Sequence, residues 1–266
     1  AWRFKNNLMM YAAVLLFLLT LLAYSFTRFA FQMPSENFAL IFNLRFLALT
    51  VMLVAAIATV IFSKRIQHEY TDLITIAFTY TWIGILFTLV TVETSDYLGQ
   101  LAYKSDNDTS IFFNAIIPYL LGMEWLLVAI PLMFYSFKKS NKEFHVSSLI
   151  LTSLSILFIC ISSVHAFEPM SFFIPVINLR ALSLVFLVAA LYSEIKWTDR
   201  STPYFFSFSP VNIMRVVAVV AVVLLVTVES RDFLDKLADG SEGYRKSFFT
   251  GAIPFVLGIE WILLAV

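Results

Sequence analysis

The residues in this chain best placed to do chemistry are charges set in apolar surroundings. Glu124 is the one charged residue of "IIPYLLGMEWLLVAI" (116–130), and Glu260 holds the same place in "AIPFVLGIEWILLAV" (252–266). An ionised carboxylate is costly among apolar neighbours unless something answers it. Three settings would do so. Desolvation would hold the group protonated. Arg45 or a polar side chain would pair with it across a helix interface. A hydrated cavity or substrate path would solvate it. The first two are structural. The third is functional, and intramembrane ionisable groups are functional candidates by default.

A second set lies nearer the ends of the apolar runs. "NLRFLAL" (43–49) and "NLRALSL" (178–184) each put an Asn two residues before an Arg. "TVETSDYLGQLA" (91–102) and "TVESRDFLDKLA" (227–238) each carry a Glu at the end of the following run. Arg45 enters its run by about five residues, or about 8 Å at 1.5 Å per residue. That brings it to the depth of Glu93, and Arg180 to the depth of Glu229. Bidentate Arg–carboxylate pairing is the least costly way to keep both charged near lipid. We expect Arg45–Glu93 and Arg180–Glu229 pairs, with Asn43 and Asn178 one step outward capping each network.

The residues around each deep glutamate are structural candidates. Pro118 and Pro254 lie six residues before Glu124 and Glu260 and remove a backbone donor. Gly122 and Gly258 permit close helix approach. Trp125 and Trp261 are expected to pack against neighbouring helices. Elsewhere the chemistry is sparse. Cys160, the single cysteine, lies in an apolar run and reads as a small hydrophobe. His68 and His145 fall in expected cytoplasmic turns, His165 near an outer one, and Arg215 is expected to snorkel to headgroups. No phosphate-binding glycine loop, HExxH or GxSxG is present. No metal or cofactor is expected.

The elements that must position these residues follow from composition. The 266 residues are 60% hydrophobic and 14% charged, with a mean hydropathy of +0.85. Soluble domains carry about 25% charged residues, so an all-α integral membrane protein is expected, with the lipid bilayer as its main partner. Zero net charge gives no reason to expect a nucleic-acid partner. Runs of about 20 apolar residues mark eight spans, at 8–31, 40–63, 73–93, 110–137, 146–167, 173–195, 211–234 and 248–266, the last cut short. The N-terminus and alternate connections hold nine Lys and Arg, the opposite side six. That bias places the N-terminus in the cytoplasm. Tyr97, Leu98, Leu101 and Ala102, with Phe233, Leu234, Leu237 and Ala238, each form one apolar helical face. They predict that spans three and seven continue as short helices at the outer interface.

The matched motifs recur at offsets of 135 and 136, and the two deep segments share eight of fifteen residues. We therefore expect eight transmembrane helices as two parallel four-helix repeats, residues 1–140 and 141–266. The chain also reads as a fragment of a longer protein. The "NLRF…VETSDYL" pattern resembles the large bacterial multi-spanning proteins grouped as domain-of-unknown-function family 2339. That resemblance implies a bacterial inner-membrane protein and no particular activity. The favoured function is a noncatalytic scaffold or accessory subunit among other membrane proteins. The alternative is a transporter or lipid-handling protein lined by Arg45, Arg180, Glu124 and Glu260. A weaker third is an intramembrane enzyme on lipid-linked substrates, using Glu36, Asp96, Glu168 or Asp232.

Overall fold

A computed structural model describes residues 43–63, 71–164, 174–175, 177–200 and 210–265. These form seven helices and, among the described residues, no strand. They are α1 (Leu44–Ser63), α2 (Thr71–Lys104), α3 (Asn107–Lys139), α4 (Lys142–Ser163), α5 (Leu179–Arg200), α6 (Pro210–Asp239) and α7 (Tyr244–Ala265). Five of them, α1, α2, α3, α4 and α6, are long and apolar enough to cross a membrane. The described residues are therefore all-helical and membrane-protein-like. Eight such spans are not shown: the expected first span, 8–31, lies outside the described residues, and α5 and α7 are not among the five. All described residues belong to one compact unit, Phe38–Val266.

Side-chain caps set where several helices begin. Asn141 precedes α4, and its side chain accepts a hydrogen bond from the Phe144 amide at 2.9 Å. Asn43 does the same for Phe46 at 2.7 Å at the start of α1, and Asn178 for Ala181 at 2.8 Å at the start of α5. Asn is favoured at this position because its oxygen satisfies an amide that the first turn leaves without a partner. Between α3 and α4, Ser140 adopts a left-handed conformation (φ 50°) and ends the helix. The α2–α3, α3–α4 and α6–α7 connections are only two to four residues long, so consecutive helices are neighbours.

α2 continues past Glu93, as expected, but as one helix with no separate short helix after it. It runs unbroken to Lys104 over 34 residues, about 51 Å at 1.5 Å per residue. Val92, Leu98 and Ala102 are all buried along it, so its packed face continues past Glu93. α6 likewise runs on through Phe233, Leu234, Leu237 and Ala238 to Asp239.

α3 is the central helix. It packs on α2, α4 and α5; α5 then packs on α6, and α6 on α7. The main core joins Leu126 and Met133 of α3, Ile159 of α4, Leu184, Leu187 and Leu191 of α5, and Met214, Ala221 and Val228 of α6. Outward residues such as Val51, Val54, Ile150, Leu157, Val216 and Val219 are apolar and exposed, as lipid contact requires. The tightest approach is between α3 and α4. A Cβ built on Gly122 would come within 2.5 Å of the Ile159 Cγ1 atom. Gly258, at the same place on α7, has nothing within 4 Å.

These two glycines give opposite expectations. Gly122→Ala should destabilise by about 1–3 kcal/mol, because the core there has no room for a methyl group. Gly258→Ala should leave stability unchanged or raise it by up to about 1 kcal/mol through helix propensity. Thermal unfolding of the purified variants in detergent measures both. Equal losses would show that the α3–α4 contact is not close-packed.

Candidate functional site

The polar residues sit at three places, and each is built from helix geometry. The first is the junction of α1 and α2. The cap that starts α1 also turns the Asn43 amide toward α2. Asn43 Nδ2 donates to both oxygens of Glu93, at 3.0 and 3.1 Å. Two residues on, Arg45 Nη1 donates to Asp96. Glu93 and Asp96 are one helical turn apart on α2, so one face of α2 meets the first turn of α1.

The junction of α5 and α6 repeats this chemistry. Asn178 Nδ2 donates to both oxygens of Glu229, each at 2.9 Å. Arg180 Nη2 reaches Asp232 at 2.6 Å and Glu229 at 3.3 Å. The expected Arg180–Glu229 pair is present. In the first copy the carboxylate that answers Arg45 is Asp96 rather than Glu93. The physical reason is local: Glu93 and Asp96 lie one turn apart on the same face of α2, and the long Arg side chain reaches the further one. Depth separates the two junctions. Arg180 and Asp232 side chains are 0% exposed, whereas those of Arg45 and Asp96 are 24% and 28% exposed. Arg231 adds a further donor to Asp232 at 3.2 Å.

The second place holds the deep glutamates. Thr94 Oγ1 on α2 donates to Glu124 Oε1 on α3 at 2.6 Å, and Ser230 on α6 donates to Glu260 on α7. One turn along, Trp125 Nε1 donates to Thr91 Oγ1 at 2.8 Å and Trp261 Nε1 to Thr227 Oγ1 at 2.9 Å. Glu124 is thus answered by a hydroxyl across a helix interface, not by Arg45. The Oε2 atoms of Glu124 and Glu260 are buried and accept nothing. Pro118 and Pro254 lie inside α3 and α7, which remain helical through them.

The surroundings of the two tryptophans differ sharply. Trp125 is 4% exposed, with Phe87 tilted against it and Phe158 meeting it edge-to-face at ring-centroid distances of 4.8 and 4.7 Å. Trp261 is 56% exposed. Phe158 and Ile159, which cover Trp125 and Gly122, both belong to α4.

The third place was missed in the sequence. Glu194 of α5 is wholly buried between α3 and α4. Thr152 and Ser148 of α4 donate to its Oε1 atom at 2.6 and 3.1 Å. His145, expected in a cytoplasmic turn, is buried in the first turn of α4. Arg215 is exposed in the second turn of α6. His68, His165, Glu36 and Glu168 lie outside the described residues. Among the described residues no cluster of three His, Cys, Asp or Glu could hold a metal ion. Comparison with family models, curated proteins and solved structures finds no match.

The two junctions differ in burial, so their disruption should differ in size. Arg180→Ala leaves Glu229 with Asn178 and Asp232 with Arg231 in a largely dry interface and should cost about 3–5 kcal/mol. Arg45→Ala should cost about 1 kcal/mol, because water reaches its pair. Denaturation of the two variants in mixed micelles checks the order. A larger loss for Arg45→Ala would contradict it.

Proposed function

We propose that this chain is a noncatalytic scaffold or accessory subunit of a bacterial inner-membrane complex, with its N-terminus in the cytoplasm. Its architecture on this reading is eight transmembrane helices in two parallel four-helix repeats, and membership of domain-of-unknown-function family 2339 is part of the same proposal. The recurrence of four polar contacts supports the repeat. Asn43–Glu93, Arg45–Asp96, Thr94–Glu124 and Trp125–Thr91 correspond to Asn178–Glu229, Arg180–Asp232, Ser230–Glu260 and Trp261–Thr227. In this register α1, α2 and α3 correspond to α5, α6 and α7.

The observation that carries the scaffold reading is the open face of α7. On α3 the same face receives α4, with Ile159 seated over Gly122 and Phe158 against Trp125. On α7, Gly258 meets nothing, and Phe255, Ile259, Trp261 and Ile262 are exposed. Small residues at a helix interface are what close association in lipid requires. The face therefore suits a further membrane-spanning helix like α4, from a partner or from more of the same chain, with a branched aliphatic residue over Gly258. The polar residues retained in both copies hold helices of the chain to each other. In this role they position that face rather than react. The transport alternative draws on a different feature, the second oxygens of Glu124 and Glu260, which accept no hydrogen bond.

Purification from native membranes in mild detergent tests the reading. A membrane-protein partner should co-purify at fixed stoichiometry. It should be lost on Gly258→Leu, while the variant chain alone unfolds at the wild-type temperature. A chain that purifies with lipid only, from wild type and variant alike, would overturn it.

A further inference from the structure

Glu194 differs from every other buried carboxylate described above. Glu229 and Asp232 face Arg180, and Glu124 and Glu260 have hydroxyl partners that recur in both copies. Glu194 has no counterpart: at the offset of 135 that relates the two Asn–Leu–Arg motifs, it falls on Thr59. It is 0% exposed, and its Oε2 atom is buried without a hydrogen-bond partner. Among the described residues no Lys or Arg lies within ion-pair distance of it.

The groups around it form a built polar site. From α4, Thr152 and Ser148, one turn apart, donate to the same oxygen. His145 lies one turn further toward the start of α4, and Ser155 one turn further in. All four are buried, and their spacing puts them on one helical face. From α3 come the Ala129 carbonyl, which accepts from Ser148 at 2.8 Å, and the Met133 sulfur, which accepts from Thr198 at 3.9 Å. From α5 itself, Thr198 is buried one turn beyond Glu194, while Lys196 is exposed. From α6, the basic residue Arg215 is exposed. His145 is thus the buried titratable neighbour. α4 and α5 start from opposite ends, so His145 and Thr198 both lie toward the Lys142 and Arg200 ends.

Ser148 has one proton and two acceptors, the Ala129 carbonyl at 2.8 Å and Glu194 Oε1 at 3.1 Å. That choice lets one arrangement of heavy atoms hold either charge state. With Glu194 ionised, Ser148 and Thr152 both donate to it. With Glu194 protonated, Ser148 turns its proton to Ala129 and accepts the one on the carboxyl. An ionised carboxylate with no cation in a dry interface is costly, and binding a proton removes that cost.

We propose that Glu194 is an intramembrane proton-binding site, reached from the Lys142–Arg200 end of the α4–α5 junction along the row that begins at His145. The step is a simple protonation. A solvent proton ends on the Glu194 carboxylate, one O–H bond forms, and no electrons move. Glu194 has no counterpart in the first half of the chain, and the site rests on the proposed eight-span architecture but not on the scaffold role.

Infrared difference spectroscopy of the whole chain in lipid vesicles, titrated from acid to alkali, tests this. The result expected is a protonated-carboxyl C=O band that disappears reversibly as pH rises and shifts in heavy water. It should be absent from Glu194→Gln and present in Glu124→Gln. Ser148→Ala should shift the band's frequency by removing one hydrogen bond; it carries the test if Glu194→Gln does not fold. A band that neither titrates nor responds to Ser148→Ala would overturn the proposal. So would the loss of the band on adding sodium ions at constant pH, which would make the ligand a metal cation.

Discussion

The structure depends on the neutralisation of charge where little water is present. An Arg or Glu in an apolar helix is tolerated only beside a partner that satisfies it. Here the partners that recur in both copies lie on a neighbouring helix, so the solution to an electrostatic problem also aligns two helices. Asn43 and Asn178 show how compact the device is. One face of the amide caps its own helix, and the other binds both oxygens of a glutamate on the neighbour. The cap fixes the helix start, and the helix start places the arginine two residues later within reach of the next carboxylate.

Packing then builds outward from that alignment. With α1 held to α2 and α5 held to α6, the central helix α3 joins the two pairs through its contacts with α2 and α5. Its glycine lets α4 approach until Ile159 fills the gap, and a tryptophan is enclosed beside it. The same residue types on α7 stay open. Identical local chemistry thus yields a buried face in one place and an exposed one in another. The difference lies in what each helix meets, not in its own sequence.

Much of this was legible in the residues. Charges isolated in apolar runs, repeated at a constant offset, marked Asn43, Arg45, Glu93, Glu124 and their second copies without any coordinates. Their helices were legible from run length. The partner of Arg45 was not, because Glu93 and Asp96 share a helical face and both lie within reach of a guanidinium. The hydroxyls of Thr94 and Ser230 were passed over because threonine and serine in a helix usually bond back to their own turn, as Thr79 and Ser155 do here. Glu194 was missed for another reason. It lies near Lys196 and Arg200 and reads as part of a charged helix end, while its partners are 42 and 46 residues away on α4. No second copy drew attention to it.

The central claim is that the polar residues shared by the two halves hold helices together and present α7 to a partner. A structure of the protein isolated from native membranes, with lipids and partners retained, tests it most directly. The account predicts dry contacts at Glu124 and Glu260 and a foreign helix seated over Gly258. A water-filled passage reaching both glutamates, holding lipid or solute and with α7 facing only lipid, would contradict it.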